Sequence, residues 1–61
     1  MKELKYVGTD AWDRPVYKDQ DGNLWKDVNL GSGEPYLHSS SSNEFDGEPD
    51  MPIEEEYIIV E

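Results

Sequence analysis

The sequence predicts a small, mostly β domain, a single-layer antiparallel sheet of three to four strands with a central hairpin and an irregular loop lid. Three observations predict it. Short runs of β-branched and aromatic residues alternate with Gly, Pro, Asp and Asn clusters. Two such runs flank a hairpin turn, and the chain ends in the uninterrupted apolar run "YIIV". Sixty-one residues allow one domain, 1–61, near the lower limit at which a chain buries enough apolar surface to fold. There is no cysteine and only one histidine, so no disulfide, thiolate cage or zinc site is available, and no cofactor is expected. The fold must rest on packing. Two tryptophans, four tyrosines and a phenylalanine supply the large side chains for it.

Taken in order, Leu4 to Val7 reads as a first strand that ends at Gly8. "DAWDRP" reads as a turn or a single helical turn that Asp10 could cap; Pro15 requires an extended or turn conformation at Arg14, and Trp12 is expected to tuck under the sheet. "PVYKDQDGNLWKDV" gives the clearest signal, a hairpin of Val16–Lys18 and Asn23–Val28 with Gly22 in the left-handed conformation. If Asp19 pairs with Asn23, Tyr17 lies opposite Trp25 and Val16 opposite Lys26. Tyr36 to Ser39 is a further short strand candidate. Residues 39–50 read as a mobile acidic and serine-rich loop. The final strand, Glu56 to Val60, is apolar on both faces and therefore expected in mid-sheet. Trp12, Leu30, Leu37, Phe45, Met51 and Ile53 are left to form the lid.

The formal net charge is −10, and it is lopsided. Residues 1–28 hold five basic and six acidic side chains, whereas 29–61 hold nine acidic and no basic ones. Contacts to nucleic-acid backbone or anionic membrane need Lys and Arg, so direct binding of either is excluded and a partner with a basic surface is the permitted kind. No apolar run approaches the ~20 residues that cross a bilayer, and the N-terminus lacks a secretory apolar core. A cytoplasmic monomer is expected.

Sequence offers little catalytic chemistry. "DQDGN" opens like a calcium loop, but counting from Asp19 the sixth and twelfth places hold Leu24 and Leu30 where that loop needs Gly and Glu. His38 and Ser39 are neighbours in sequence, and in a strand they would point to opposite faces. A chain this small has no cleft for paired carboxylates. The candidate interaction surface comprises two aromatics, Trp12 and Tyr36, at least one of which an aromatic interface would need exposed, and the acids of the second half: Glu44, Asp46, Glu48, Asp50, Glu54 and Glu56. Acids beside "YIIV" also act as gatekeepers against strand-to-strand aggregation.

Over "YVGTDAWDRPVYKDQDGNLWKDVNLG" and "FDGEPDMPI" the chain resembles short uncharacterised proteins of Firmicutes, including gut species, and of their mobile elements. Related stretches occur, by the same resemblance, as modules of large polyvalent phage and conjugative-element proteins. The likeness covers Tyr6 to about Ile53; it implies an origin and transfers no site residue. The sequence thus reads as a non-enzymatic protein-binding module. The alternative is an acidic nucleic-acid mimic that inhibits a DNA-binding or nuclease protein, which requires the carboxylates of 44–56 to share one rigid face.

Overall fold

The computed structural model describes residues 1–29, 33 and 35–60. Its six strands are β1 Lys2–Thr9, β2 Pro15–Lys18, β3 Leu24–Asp27, β4 Leu37–Ser40, β5 Pro49–Pro52 and β6 Tyr57–Val60, with a 3₁₀ turn at Ser41–Asn43. They form one sheet in the order β5-β4-β3-β2-β1-β6. Every pair is antiparallel except β1 and β6, which run parallel. The fold is therefore mostly β and built on one sheet, but the sheet is mixed and has six strands where three to four antiparallel ones were expected.

Two causes explain the difference. Leu37 and Met51, assigned to the lid, belong to β4 and β5. The "YIIV" run takes an edge and not the middle: the Lys2 amide donates to Glu56 O at 3.0 Å, so β6 starts beside the start of β1 and must run with it. Ile58 and Ile59 are consequently 49% and 40% exposed. Trp12 is not tucked away either; 57% of it is open to solvent. Of the other lid candidates, Phe45 and Ile53 do lie in connections, and Leu30 falls outside the described residues.

The hairpin forms in the expected register, Val16 with Lys26, Tyr17 with Trp25 and Lys18 with Leu24. Its turn is held by one side chain. Asp19 Oδ1 accepts the amides of Asp21 and Asn23 at 2.9 Å each, while Asp19 N donates to Asn23 O and Gly22 N to Asp19 O. Nine residues earlier the same four bonds recur. Asp10 Oδ1 accepts the amides of Trp12 and Arg14, Asp10 N donates to Arg14 O, and Asp13 N to Asp10 O. The left-handed position is Gly22 in one turn, at φ 88°, and Asp13 in the other, at φ 63°.

Alternation along the strands assigns side chains to two faces. Lys2, Leu4, Tyr17, Trp25, Leu37 and Tyr57 share the first. This face is concave. In a flat sheet β6 and β4 would stand four spacings apart, about 19 Å, yet the Tyr57 hydroxyl reaches Pro35 O, just before β4, at 3.4 Å. Likewise, five residue steps from Pro52 to Tyr57 span at most about 18 Å, against roughly 24 Å across a flat six-stranded sheet. Coiling is thus imposed by the short connection. Leu4 and Leu37 are fully buried within the curl.

The second face carries Val16, Lys26 and His38 in one row. A bulge places both Val7 and Gly8 against Val16, which turns Gly8 toward this face. The Phe45 ring lies over Gly8: a Cβ there would sit 3.1 Å from Phe45 Cζ. Phe45 and its neighbours thereby close off Val16 and Lys26, both 0% exposed.

Candidate interaction surface

The convex face is organised by a buried ion pair. Lys26 Nζ donates to Asp10 Oδ2 at 2.6 Å, with both side chains fully buried, and also to Phe45 O. Burial alone would raise the Asp10 pKa. The bond from Lys26 and those from the Arg14 and Trp12 amides more than offset it, and the carboxyl stays below its ordinary value. One ion pair thus fixes two connections: Asp10 shapes the turn that bears Trp12, and Lys26 anchors the loop that bears Phe45. The Ala11 amide donating to Asp46 Oδ1 at 2.9 Å ties these two connections to each other.

A matching pair lies at the other end. Lys2 Nζ donates to Asp19 Oδ2 at 3.1 Å and sits 5.3 Å from the centroid of the Trp25 ring, whose Nε1 donates to the same oxygen at 3.0 Å. Desolvation opposes charge on Asp19 as well, but bonds from Trp25, the Asn23 amide and Lys2 hold its pKa at about 2. Lys2 is raised in turn, chiefly by Glu55, whose carboxylate is 3.1 Å away, and by Asp19. Burial raises the Tyr17 hydroxyl, with a further push from Asp27.

Around the first pair the surface is aromatic and acidic. Trp12 is exposed on its turn, with the Arg14 guanidinium 5.4 Å from its ring centroid. Glu44, Phe45 and Asp46 lie alongside, all exposed. Tyr36, 54% exposed, meets His38 edge to face at 4.7 Å, so by alternation it stands on the same convex face. Its amide is held by Asp27 Oδ1 at 3.1 Å.

The expected acids do not all gather here. Glu48 and Asp50 are exposed where the chain enters and forms β5. Glu54 borders a cleft with Trp25 and Met51, on the concave side, and Glu56 stands at the start of β6. The carboxylates of 44–56 are therefore divided between the two faces and not arrayed on one.

Residues 39–50, read as a loop, include the last two residues of β4, the 3₁₀ turn and the first two of β5. Ser40 is buried and its hydroxyl donates to Glu44 O. Ser39 Oγ accepts the Met51 amide at 3.0 Å, and His38 Nδ1 is buried without a hydrogen-bond partner among the described residues. No group of three or more His, Cys, Asp or Glu side chains suited to a metal ion occurs among the described residues. None of their helices is long and apolar enough to cross a membrane.

Sequence reasoning missed the two lysine–aspartate pairs. The available signal was the spacing: Asp10 and Asp19 open turns of the same length, and Lys26, opposite Val16, belongs to an apolar face.

Fold and surface together define a class, a small all-β domain with a coiled mixed sheet, two internal lysine–aspartate ties and exposed aromatics rimmed by acids. No protein-family model matches the chain, and neither does any curated protein or solved structure.

Proposed function

We propose that the chain is a non-enzymatic module that binds another protein in the cytoplasm through the convex face bearing Trp12 and Tyr36. The exposure of these two aromatics carries the reading. Only Leu4, Val16 and Leu37 are buried apolar residues among those described, and a domain so short of core still leaves Trp12 57% and Tyr36 54% open. Exposed Trp and Tyr are the side chains that most often anchor a partner. Glu44 and Asp46 beside them, together with the acids of the second half, steer a partner with a basic surface. Lys2, Arg14 and Lys26 are already engaged with carboxylates of the chain itself, so these cations are held in internal pairs while the net charge stays at −10. A bacterial mobile element as the source accords with the resemblance of the Tyr6–Ile53 stretch.

The test is a comparison of wild type with Trp12→Ala and Tyr36→Ala as baits for a bacterial lysate. Wild type is expected to retain a discrete protein that both variants lose and that elutes as salt rises. The variants should keep their stability to within about 0.5 kcal/mol, as substitutions at exposed sites do. Identical capture by all three baits would sink the reading.

A further inference from the structure

We infer that the outer edge of β6 is a site for a second copy of this chain, joined by antiparallel pairing centred on Ile58. The argument starts from hydrogen bonds. Because the Lys2 amide bonds to Glu56 O and a parallel ladder uses alternate residues, Ile58 and Val60 face β1, while the N–H and C=O of Tyr57 and Ile59 point outward. β6 ends the sheet, so no described strand meets these groups. The opposite edge is blunted: β5 begins and ends with proline, which donates nothing.

The outward groups are self-complementary. Two copies of β6 related by a two-fold axis at Ile58 bring Tyr57 of one opposite Ile59 of the other, twice, and each such pair exchanges N–H and C=O bonds. The two Ile58 side chains, half exposed in the monomer, then lie against each other on the convex face. Ile59, 40% exposed, gains the Tyr57 of the second copy as a neighbour.

Charge selects this arrangement in spite of the net −10. Lys5 and Lys18 stand directly opposite each other, a like-charge pair that is unfavourable in a sheet. Val60 is next to Lys5 in the row. In the dimer, Glu56 of the second copy continues that row beyond Val60, on the same face and two strand spacings from Lys5, about 9.6 Å. Two long side chains bridge that gap. Each copy thereby supplies a counter-charge to the other's lysines.

An edge four residues long buries less than a standard interface, so association in the range of about 10–100 µM is expected. The experiment is sedimentation of the full chain beside two variants, Ile58→Lys and Ile58→Glu, and an equimolar mixture of the two. Wild type should pass from monomer to dimer with concentration. Each variant alone should remain monomeric, since it sets like charges face to face at the axis, and the mixture should recover a heterodimer. A wild type that stays monomeric to about 1 mM, variants that still dimerise, or a mixture that does not associate would each overturn the inference. Folding of the variants is checked by circular dichroism. Amide exchange on wild type gives a second route: protection at Ile59 should rise with concentration, and protection rising at Trp12 or Tyr36 instead would transfer the contact to the convex aromatic face and refute the edge.

Discussion

Lys26 Nζ and Asp10 Oδ2 lie 2.6 Å apart with neither side chain exposed, and the same aspartate holds the amides of Trp12 and Arg14. Breaking a buried pair from one side costs about 3–5 kcal/mol, because the remaining charge has no partner. A domain of this length has a total stability of roughly 3–9 kcal/mol. Lys26→Met is therefore expected to remove a third or more of that stability, although Arg14 Nε, 3.8 Å from Asp10 Oδ2, remains near the carboxylate. Lys26→Met combined with Asp10→Asn should recover about 1–3 kcal/mol, since Asn still accepts the turn amides and carries no stranded charge. Urea unfolding followed by tryptophan fluorescence measures both.

Asp19 gives the domain an acid limit. Its folded pKa of about 2 lies below the ordinary 3.8, so it contributes stability that is complete above about pH 5 and is lost as pH falls through 4 toward 2. The difference corresponds to roughly 2 kcal/mol. Protonation of the other carboxylates relieves repulsion over the same range, and comparison with Asp19→Asn isolates the contribution. The variant should be less stable than wild type at pH 7, and the gap should shrink by pH 2 in thermal unfolding.

The two turns with matching bonds should answer oppositely to glycine exchange. Asp13 occupies the left-handed position that Gly22 fills in the hairpin. Asp13→Gly is expected to stabilise by about 0.5 kcal/mol and Gly22→Ala to destabilise by about 1 kcal/mol, as the cost of a side chain at positive φ requires. The same sign for both in denaturant titrations would mean that the turns are not equivalent.

Gly8→Ala combines two penalties. At φ 144° the backbone disfavours any side chain, and the new methyl would meet the Phe45 ring at 3.1 Å. A loss of about 1–3 kcal/mol is expected, together with increased hydrogen exchange at Ala11, whose amide rests on Asp46 in the displaced loop.

Local chemistry made the hairpin legible. Asp19, Gly22 and the β-rich flanks specify the turn, and the turn specifies the pairing of Tyr17 with Trp25. The Asp10 turn was recognised, but its identity with the hairpin turn was hidden because a non-glycine residue, Asp13, takes the left-handed place. β6 was seen as a strand and misplaced, since its position depends on a bond between residues at opposite ends of the chain, Lys2 and Glu56, that no local pattern encodes. The aromatics Trp12 and Tyr36 were named from sequence as surface candidates, whereas the lysine beneath them was not found. Lys is among the residue types that rarely go inside, and only the fold reveals the carboxylate and carbonyl that await it.

The parallel register of β1 and β6 also sets how the domain bears load. A pull applied at the first residue of β1 and the last residue of β6 draws the two strands past each other lengthwise, so the four register pairs from Lys2–Tyr57 to Lys5–Val60 are strained together and not peeled apart one by one. Tension transmitted along a chain through this sheet therefore meets its stiffest direction, and the domain should yield at a higher force than a hairpin of equal length opened from its end.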